Sequence, residues 1–310
     1  MEPIKQNNTN DKDYRSNSLA RLTLRRIFKQ RNAILGGAIL GFLVLVAIFA
    51  PLIAPYDPEE VLIGKEEGIK KRIAPCIHLL GCPEEQPQHI LGIDGNVRDE
   101  FSRVVYGTRY SLFIGFSTVG FAIIVGTLLG SIGGYIGGWV DNVIMRFMDV
   151  LLAFPSLLLA IAIVTVLGRG LQNALLAIAI VSIPVYARVV RASVLSVKEQ
   201  EFVSASRALG GSHAHILFRR ILPNAIPPLI VQGTLGIAGA ILEAAALSFL
   251  GLGAQPPTPE WGTMLGSERN QVFTAPHLVF FPGFAIMFTV LSFNLLGDGL
   301  RDAIDPRLKQ

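Results

Sequence analysis

Six stretches of this chain are apolar and almost free of charge over the length a helix needs to cross a bilayer: 33–54, 110–135, 145–167, 171–187, 223–252 and 277–297. Crossing ~30 Å of hydrocarbon takes about 20 residues of helix. Within lipid only helices and closed barrels satisfy every backbone N–H and C=O. The first run is uncharged between Arg31 and Asp57, the second between Arg109 and Asp141, and the third after Asp149. The fourth is uncharged between Arg169 and Arg188 and the sixth between Arg269 and Asp298, while Glu243 alone interrupts the fifth. The pattern predicts an all-α membrane protein with six transmembrane helices. Composition agrees, since only 16% of the 310 residues are charged, against about 25% in an ordinary soluble domain.

Lysine and arginine set the expected orientation. They concentrate in the tail 1–32, in the segment 188–220 (Arg188, Arg191, Lys198, Arg207, Arg219, Arg220) and in the tail 299–310 (Arg301, Arg307, Lys309). Six spans put these three segments on one side, which the positive-inside rule makes cytoplasmic. The expected organisation is therefore a cytoplasmic basic tail over 1–32, a first transmembrane helix over 33–54, an extracytoplasmic loop over 55–109, a five-helix core over 110–298 and a cytoplasmic tail over 299–310. The outer loop carries Lys65, Lys70, Lys71 and Arg72, which long loops tolerate because they translocate largely regardless of charge. Residues 21–31 read either as a basic amphipathic helix on the lipid surface or as a solvated tail. No small-residue cleavage site follows the first apolar run, so no signal peptide is expected.

The outer loop holds the two cysteines, Cys76 and Cys82. A short disulfide, free thiols, and a metal site using His78 or His89 are all open on the sequence, although the spacing fits no standard zinc pattern and no metal is expected. Small residues recur every fourth position at Gly126, Gly130 and Gly134, and again at Gly236, Ala240 and Ala244. Such stripes let helices approach closely, either within the bundle or across a dimer face with a second membrane subunit.

One polar stretch interrupts the apolar chain with a definite design: 201–224, EFVSASRALGGSHAHILFRRILPN. Residues 201–209 are helix-prone. Gly210 and Gly211 suit a left-handed C-cap, Ser212 can cap a second short helix running through Arg220, and Pro223 fits the first turn of the fifth span. The product is a helix–Gly–helix elbow. The residues alone leave open a solvated loop or a docking surface for another protein.

The elbow resembles the EAA loop of binding-protein-dependent ABC importer permeases, whose pattern is E-A-A, three residues, G, nine residues, I-x-L-P. Ala205, Gly210, Leu222 and Pro223 match at the right spacing, while Ser204 stands for the glutamate, Ser206 for the second alanine and Arg220 for the isoleucine. Other segments are similar to the C-type permeases of peptide and nickel importers. These are Ala50-Pro51-Leu52-Ile53-Ala54-Pro55-Tyr56-Asp57-Pro58, then Leu91-Gly92-Ile93-Asp94 with Arg98-Asp99, Ser102-Arg103 and Tyr106-Gly107, and finally Ser248–Gly253 with Gln255-Pro256-Pro257 and Trp261-Gly262. Val97 replaces a usual glycine. The resemblance covers about residues 30–305 and implies a type I ABC importer permease fold with both termini cytoplasmic in the plasma membrane. It further implies a second permease, two ATPase domains docking on the elbow, and an external substrate-binding protein. Carried onto this chain, the coupling residues are Glu201, Ser204, Ala205, Ala208, Leu209, Gly210 and Pro223, with Glu201 standing in part for the missing glutamate. The implied cargo is di- or oligopeptide, with nickel or another small solute as the alternative.

The chain lacks a phosphate-binding loop. Its nearest Gly-Lys, Gly64-Lys65, is followed by Glu66, so ATP and Mg are expected on a partner ATPase, with no cofactor or catalytic residue here. His213 and His215 lack the H-E-x-x-H of a membrane metalloprotease and read as surface residues. A secondary transporter would need several buried ionisable groups. Here Glu243 is the one carboxylate deep in an apolar run, expected either on the substrate path or as a helix–helix hydrogen bond. Phe280, Phe281 and Phe284 read as lipid-facing or packed, membrane lipid is an expected contact, and nucleic acid is not an expected partner.

Overall fold

The computed structural model describes residues 30–304, apart from 67, 84 and 85. The tail to residue 29, with most of the surface helix considered for 21–31, lies outside the described residues, as do 305–310. Nine α-helical segments follow one another among the described residues, besides short 3-10 turns at His78–Leu80 and Arg269–Gln271. They are α1 (Arg31–Ile53), α2 (Glu100–Ile136), α3 (Gly138–Leu152), α4 (Ser156–Leu167), α5 (Leu171–Lys198), α6 (Glu201–Ala208), α7 (His213–Phe249), α8 (Trp261–Glu268) and α9 (His277–Ile304). Among the described residues the extended backbone forms only isolated bridges, such as Cys76 with His89 and Ile93 with Asp99.

Five of these helices, α1, α2, α5, α7 and α9, are long and apolar enough to span a bilayer. The third expected span is not one helix. It is α3 and α4, bent by 91° across a short break. The cause is local: Pro155 disfavours helical geometry at Phe154, so 145–167 cannot run straight despite its apolar length. The ends also move. Residues 100–109, expected in the outer loop, form the first turns of α2, because Asp99 Oδ2 accepts a hydrogen bond from the Ser102 N–H at 2.7 Å and caps the helix. Residues 299–304, expected in the tail, continue α9. The first span starts at Arg31 rather than 33.

The core forms where α2 lies along α5, with α7 across both, and α1 packed on α9. The glycine stripe of α2 makes the first contact possible. A Cβ on Gly126 would sit 2.7 Å from Tyr186 Cβ, and one on Gly134 would sit 3.1 Å from the Arg191 carbonyl oxygen. That stripe is therefore an internal seam of this chain. The second stripe packs inward too, with Gly236 against the Tyr186 hydroxyl and both Ala240 and Ala244 buried. Phe42, Leu45 and Ile48 point outward on α1, as expected for a helix whose solvent is lipid.

Candidate functional site

The elbow forms as its residues dictate, up to Ser212. The Leu209 N–H donates to the Ala205 carbonyl, Gly210 to Arg207 and Gly211 to Ser206, the last two at 3.0 Å. This is the double bond of a Schellman ending, and it requires the left-handed φ of +80° that Gly210 adopts. Ser212 Oγ accepts from the His215 N–H at 3.3 Å and starts the second arm. That arm is not a separate short helix. It runs without a break into the fifth span through a π-helical turn over Ile216–Ile221. Pro223 lies in the first turn of the α-helical span Leu222–Phe249, as expected, but that span is continuous with the arm before it, in a helix of 37 residues. The wide turn shifts the hydrogen-bond ladder, with the Leu222 N–H reaching back to the Leu217 carbonyl, so the N–H that proline lacks falls where the ladder is already displaced.

Val203, Ile216 and Ile221 are buried and pin the elbow to the bundle. Glu201, Ser204, Ala205, Ala208, Leu209, Gly210 and Pro223 are all exposed. Leu209 is 89% exposed, an apolar side chain held in the open beside small residues. Behind α6, Arg207, His213, Leu217, Tyr135 and Ile136 enclose a cavity of about 520 Å³, and Tyr135 Oη lies 2.8 Å from His213 Nδ1.

At the other end of the bundle the three remaining sequence motifs converge, although about 150 residues separate them in places. Arg103 Nη1 donates to the Pro58 carbonyl at 2.7 Å and to the Pro257 carbonyl at 3.1 Å. Asp94 Oδ1 accepts from the N–H groups of Asn96 and Arg98, and Oδ2 from Arg98 Nε, each at 2.8 Å. Arg72 Nε donates to Glu268 Oε2 at 2.8 Å, and the Gly95 N–H donates to Glu268 Oε1 at 3.0 Å. Trp261, fully buried, donates from Nε1 to the Val104 carbonyl at 3.0 Å. Glu260 caps α8 through the N–H groups of Gly262 and Thr263; its burial pushes the carboxyl pKa up, against the pull of those bonds. Sequence reasoning matched these motifs to a family without finding what they do together. The arginines and acids in an otherwise apolar chain were the available clue.

Cys76 and Cys82 are joined by a disulfide, with Cα atoms 5.4 Å apart. The two histidines considered as metal ligands are employed separately. His78 Nε2 lies 2.8 Å from the Gln86 carbonyl. His89 sits between Asp99 Oδ1 at 2.8 Å and Glu66 Oε2 at 3.0 Å, stacked on Tyr56. Burial disfavours its charged form, but the two carboxylates outweigh burial and its pKa is raised. Burial and Glu66 push the Tyr56 hydroxyl up to about 12.

Between these ends Glu243, on α7, faces a cleft shared with α3, α4 and α5, and its Oε1 accepts from Ser156 Oγ at 2.8 Å. Phe280 and Phe284 stack on each other and remain about half exposed.

Comparison with known proteins agrees with this architecture. Residues 126–310 match the family of binding-protein-dependent transport system inner membrane components, and residues 18–68 match the N-terminal TM domain of oligopeptide transport permease C. The chain is 49% identical to the dipeptide transport system permease protein DppC of Alkalihalophilus pseudofirmus, over 93% of this chain and 90% of that one. It is 47% identical to the di/tripeptide transport system permease protein DppC of Pseudomonas aeruginosa, over 91% and 90%. It is 44% identical to the glutathione transport system permease protein GsiD of Pectobacterium atrosepticum, over 92% and 90%. Among solved structures, an inward-facing MetNI methionine ABC transporter aligns with a TM-score of 0.55 at 18% identity, over 66% of this chain and 97% of that one; at that identity the likeness concerns the fold.

Proposed function

The chain belongs to the family of binding-protein-dependent transport system inner membrane components, as a multi-pass inner-membrane permease of an ABC importer, and from that premise we propose that it carries di- or oligopeptides inward, driven by a separate ATPase that grips the elbow. The observation that carries this reading is continuity. The exposed arm α6 ends on Gly210 and leads directly into α7, whose far half walls the central cleft. A pull on the elbow therefore reaches the cleft through one helix. ATP-driven closure of the partner would bias the bundle between two states, which is how a nucleotide can move a solute it never touches.

In this reading both termini and the elbow face the cytoplasm, and the disulfide-bearing loop faces the oxidising exterior. ATP and Mg reside on the ATPase pair, a second permease completes the pathway, and a binding protein delivers cargo at the loop end. Glu201, Ser204, Ala205, Ala208, Leu209, Gly210 and Pro223 form the coupling surface. Peptide is favoured over nickel by the named cargo of the relatives. The test is uptake of a labelled dipeptide into proteoliposomes. The complete assembly with binding protein is expected to import only with ATP and Mg, and this chain alone is expected to import nothing. Uptake by the chain alone without nucleotide overturns the reading in favour of a secondary transporter.

A further inference from the structure

The cleft at the middle of the bundle has a volume of about 260 Å³ and is bordered by Leu151, Phe154, Ser156, Ser182, Tyr186, Gln232 and Glu243, among others. Glu243 is the one charged side chain on its wall among the described residues. Its carboxylate is held by a single hydrogen bond, from Ser156 Oγ to Oε1. Oε2 has no hydrogen-bond partner among the described residues, yet it is not sealed in the protein interior, because it is absent from the buried unpaired atoms found there. A carboxylate turned toward acyl chains would be unsolvated, so such a group belongs on a wall that meets water or protein. The cleft is also placed to respond to coupling: Ser156 opens α4 directly after the 91° bend, and Glu243 rides on the helix that continues from the elbow.

We propose that Glu243 is the anchor for the terminal ammonium group of the transported peptide, a step that rests on the importer reading above. An ammonium brings three N–H donors and no acceptor. The cleft offers the complement: the free Glu243 oxygen, the hydroxyl and amide oxygens of Ser156, Ser182 and Gln232, and the exposed ring of Phe154 for cation–π contact. A nickel ion would find a poor site, since it favours imidazole and several converging donors, whereas Glu243 is the one His, Cys, Asp or Glu side chain among the described residues on the cleft wall. The cleft lies just below the about 300–1,000 Å³ of a pocket for a drug-sized ligand. It accommodates the end of a solute, which suits recognition of a group that peptides of every sequence share.

The experiment uses the complete transporter in proteoliposomes with loaded binding protein and measures peptide imported per ATP hydrolysed. Glu243→Gln is expected to lower import of a dipeptide roughly tenfold, the worth of one charge-assisted hydrogen bond. Glu243→Asp keeps part of the activity, and Ser156→Ala, which removes one neutral contact and leaves the charge in place, loses distinctly less than Glu243→Gln. The decisive measurement compares the dipeptide with its counterpart carrying a hydroxyl in place of the amine. The import ratio between the two narrows in Glu243→Gln relative to the parent, and the binding protein's own preference cancels in that comparison. An unchanged ratio overturns the proposal, and so does a loss in Ser156→Ala as large as that in Glu243→Gln, which would make the pair a tie between helices. A parent assembly that imports no peptide with ATP removes the importer reading itself, whereas a parent that imports while Glu243→Gln keeps its selectivity removes this inference alone.

Discussion

The two ends of the bundle solve opposite problems with the same kinds of residue. At the loop end, Asp94, Arg98, Asp99, Arg103, Glu260 and Glu268 are buried. Asp94 pairs with Arg98 and Arg103, and both arginines reach the Pro257 carbonyl and Arg103 that of Pro58. Glu268 takes Arg72, Asp99 takes His89 and Ser102, and Glu260 takes two backbone N–H groups, while a disulfide staples the loop beside them. At the elbow, Glu201, Arg207, Arg219 and Arg220 lie open, and the fold there rests on a glycine ending, one serine cap and three buried aliphatic side chains. Buried charge pairs are expensive to assemble and more expensive to break singly, which makes the loop end a fixed frame. An exposed elbow with small residues and an open Leu209 contributes little to holding the bundle together. Its surface is available to another protein, and its motion is not opposed by a network that must first be dismantled.

Substitutions at the two ends should therefore fail differently. The largest loss of stability is expected for Arg103→Met, which strands two carbonyls and removes a cation from beside Asp94: about 3 kcal/mol, read as a fall in the thermal unfolding midpoint of the purified protein in detergent. A variant as stable as the parent would mean that the loop end is no frame. Gly210→Pro should do the reverse. Proline cannot adopt a φ of +80° and removes the N–H donated to Arg207, yet the damage stays within the exposed turn and is smaller than that of Arg103→Met. Co-purification with the ATPase should nevertheless be lost. Retained co-purification, or unfolding as severe as that of Arg103→Met, would erase the distinction between the two ends.

What the sequence disclosed follows the same division. The elbow was legible because its determinants are local: Gly210, Gly211 and Ser212 act within a few residues of themselves. The apolar runs located the spanning helices because lipid imposes one requirement along a whole segment. Pro223 opens the α-helical span as its residue type suggests, but the π-helical turn that joins the span to the elbow's second arm leaves no compositional mark. The break at Pro155 was visible as a residue but was outweighed by the apolar length around it. The loop-end frame was out of reach, since Arg72 meets Glu268 across 196 positions and Arg98 meets Pro257 across 159, and no periodicity reports such pairs. Arg103 and Arg109 made 100–109 look like loop, although Arg103 is buried with partners.

The finest probe of that frame is at Val97. It stands where the family resemblance leads one to expect glycine, and it adopts a φ of +60°, which costs a β-branched residue about 1–2 kcal/mol. It is also 1% exposed and packs with Leu62 and Ile93, a burial worth about 1.5–3 kcal/mol. Packing thus slightly outweighs strain, which accounts for a valine being tolerated there. Val97→Gly gives up the packing and relieves the strain, so the two changes nearly cancel and about 1 kcal/mol of stability is lost. Val97→Ala gives up most of the packing and keeps the left-handed backbone, so it should lose about 2 kcal/mol. The order is Val, then Gly, then Ala, the opposite of the usual advantage of alanine over glycine. Thermal unfolding of the three variants side by side checks it, and an alanine variant more stable than the glycine one would show that the turn between Asp94 and Arg98 is not held in the left-handed region.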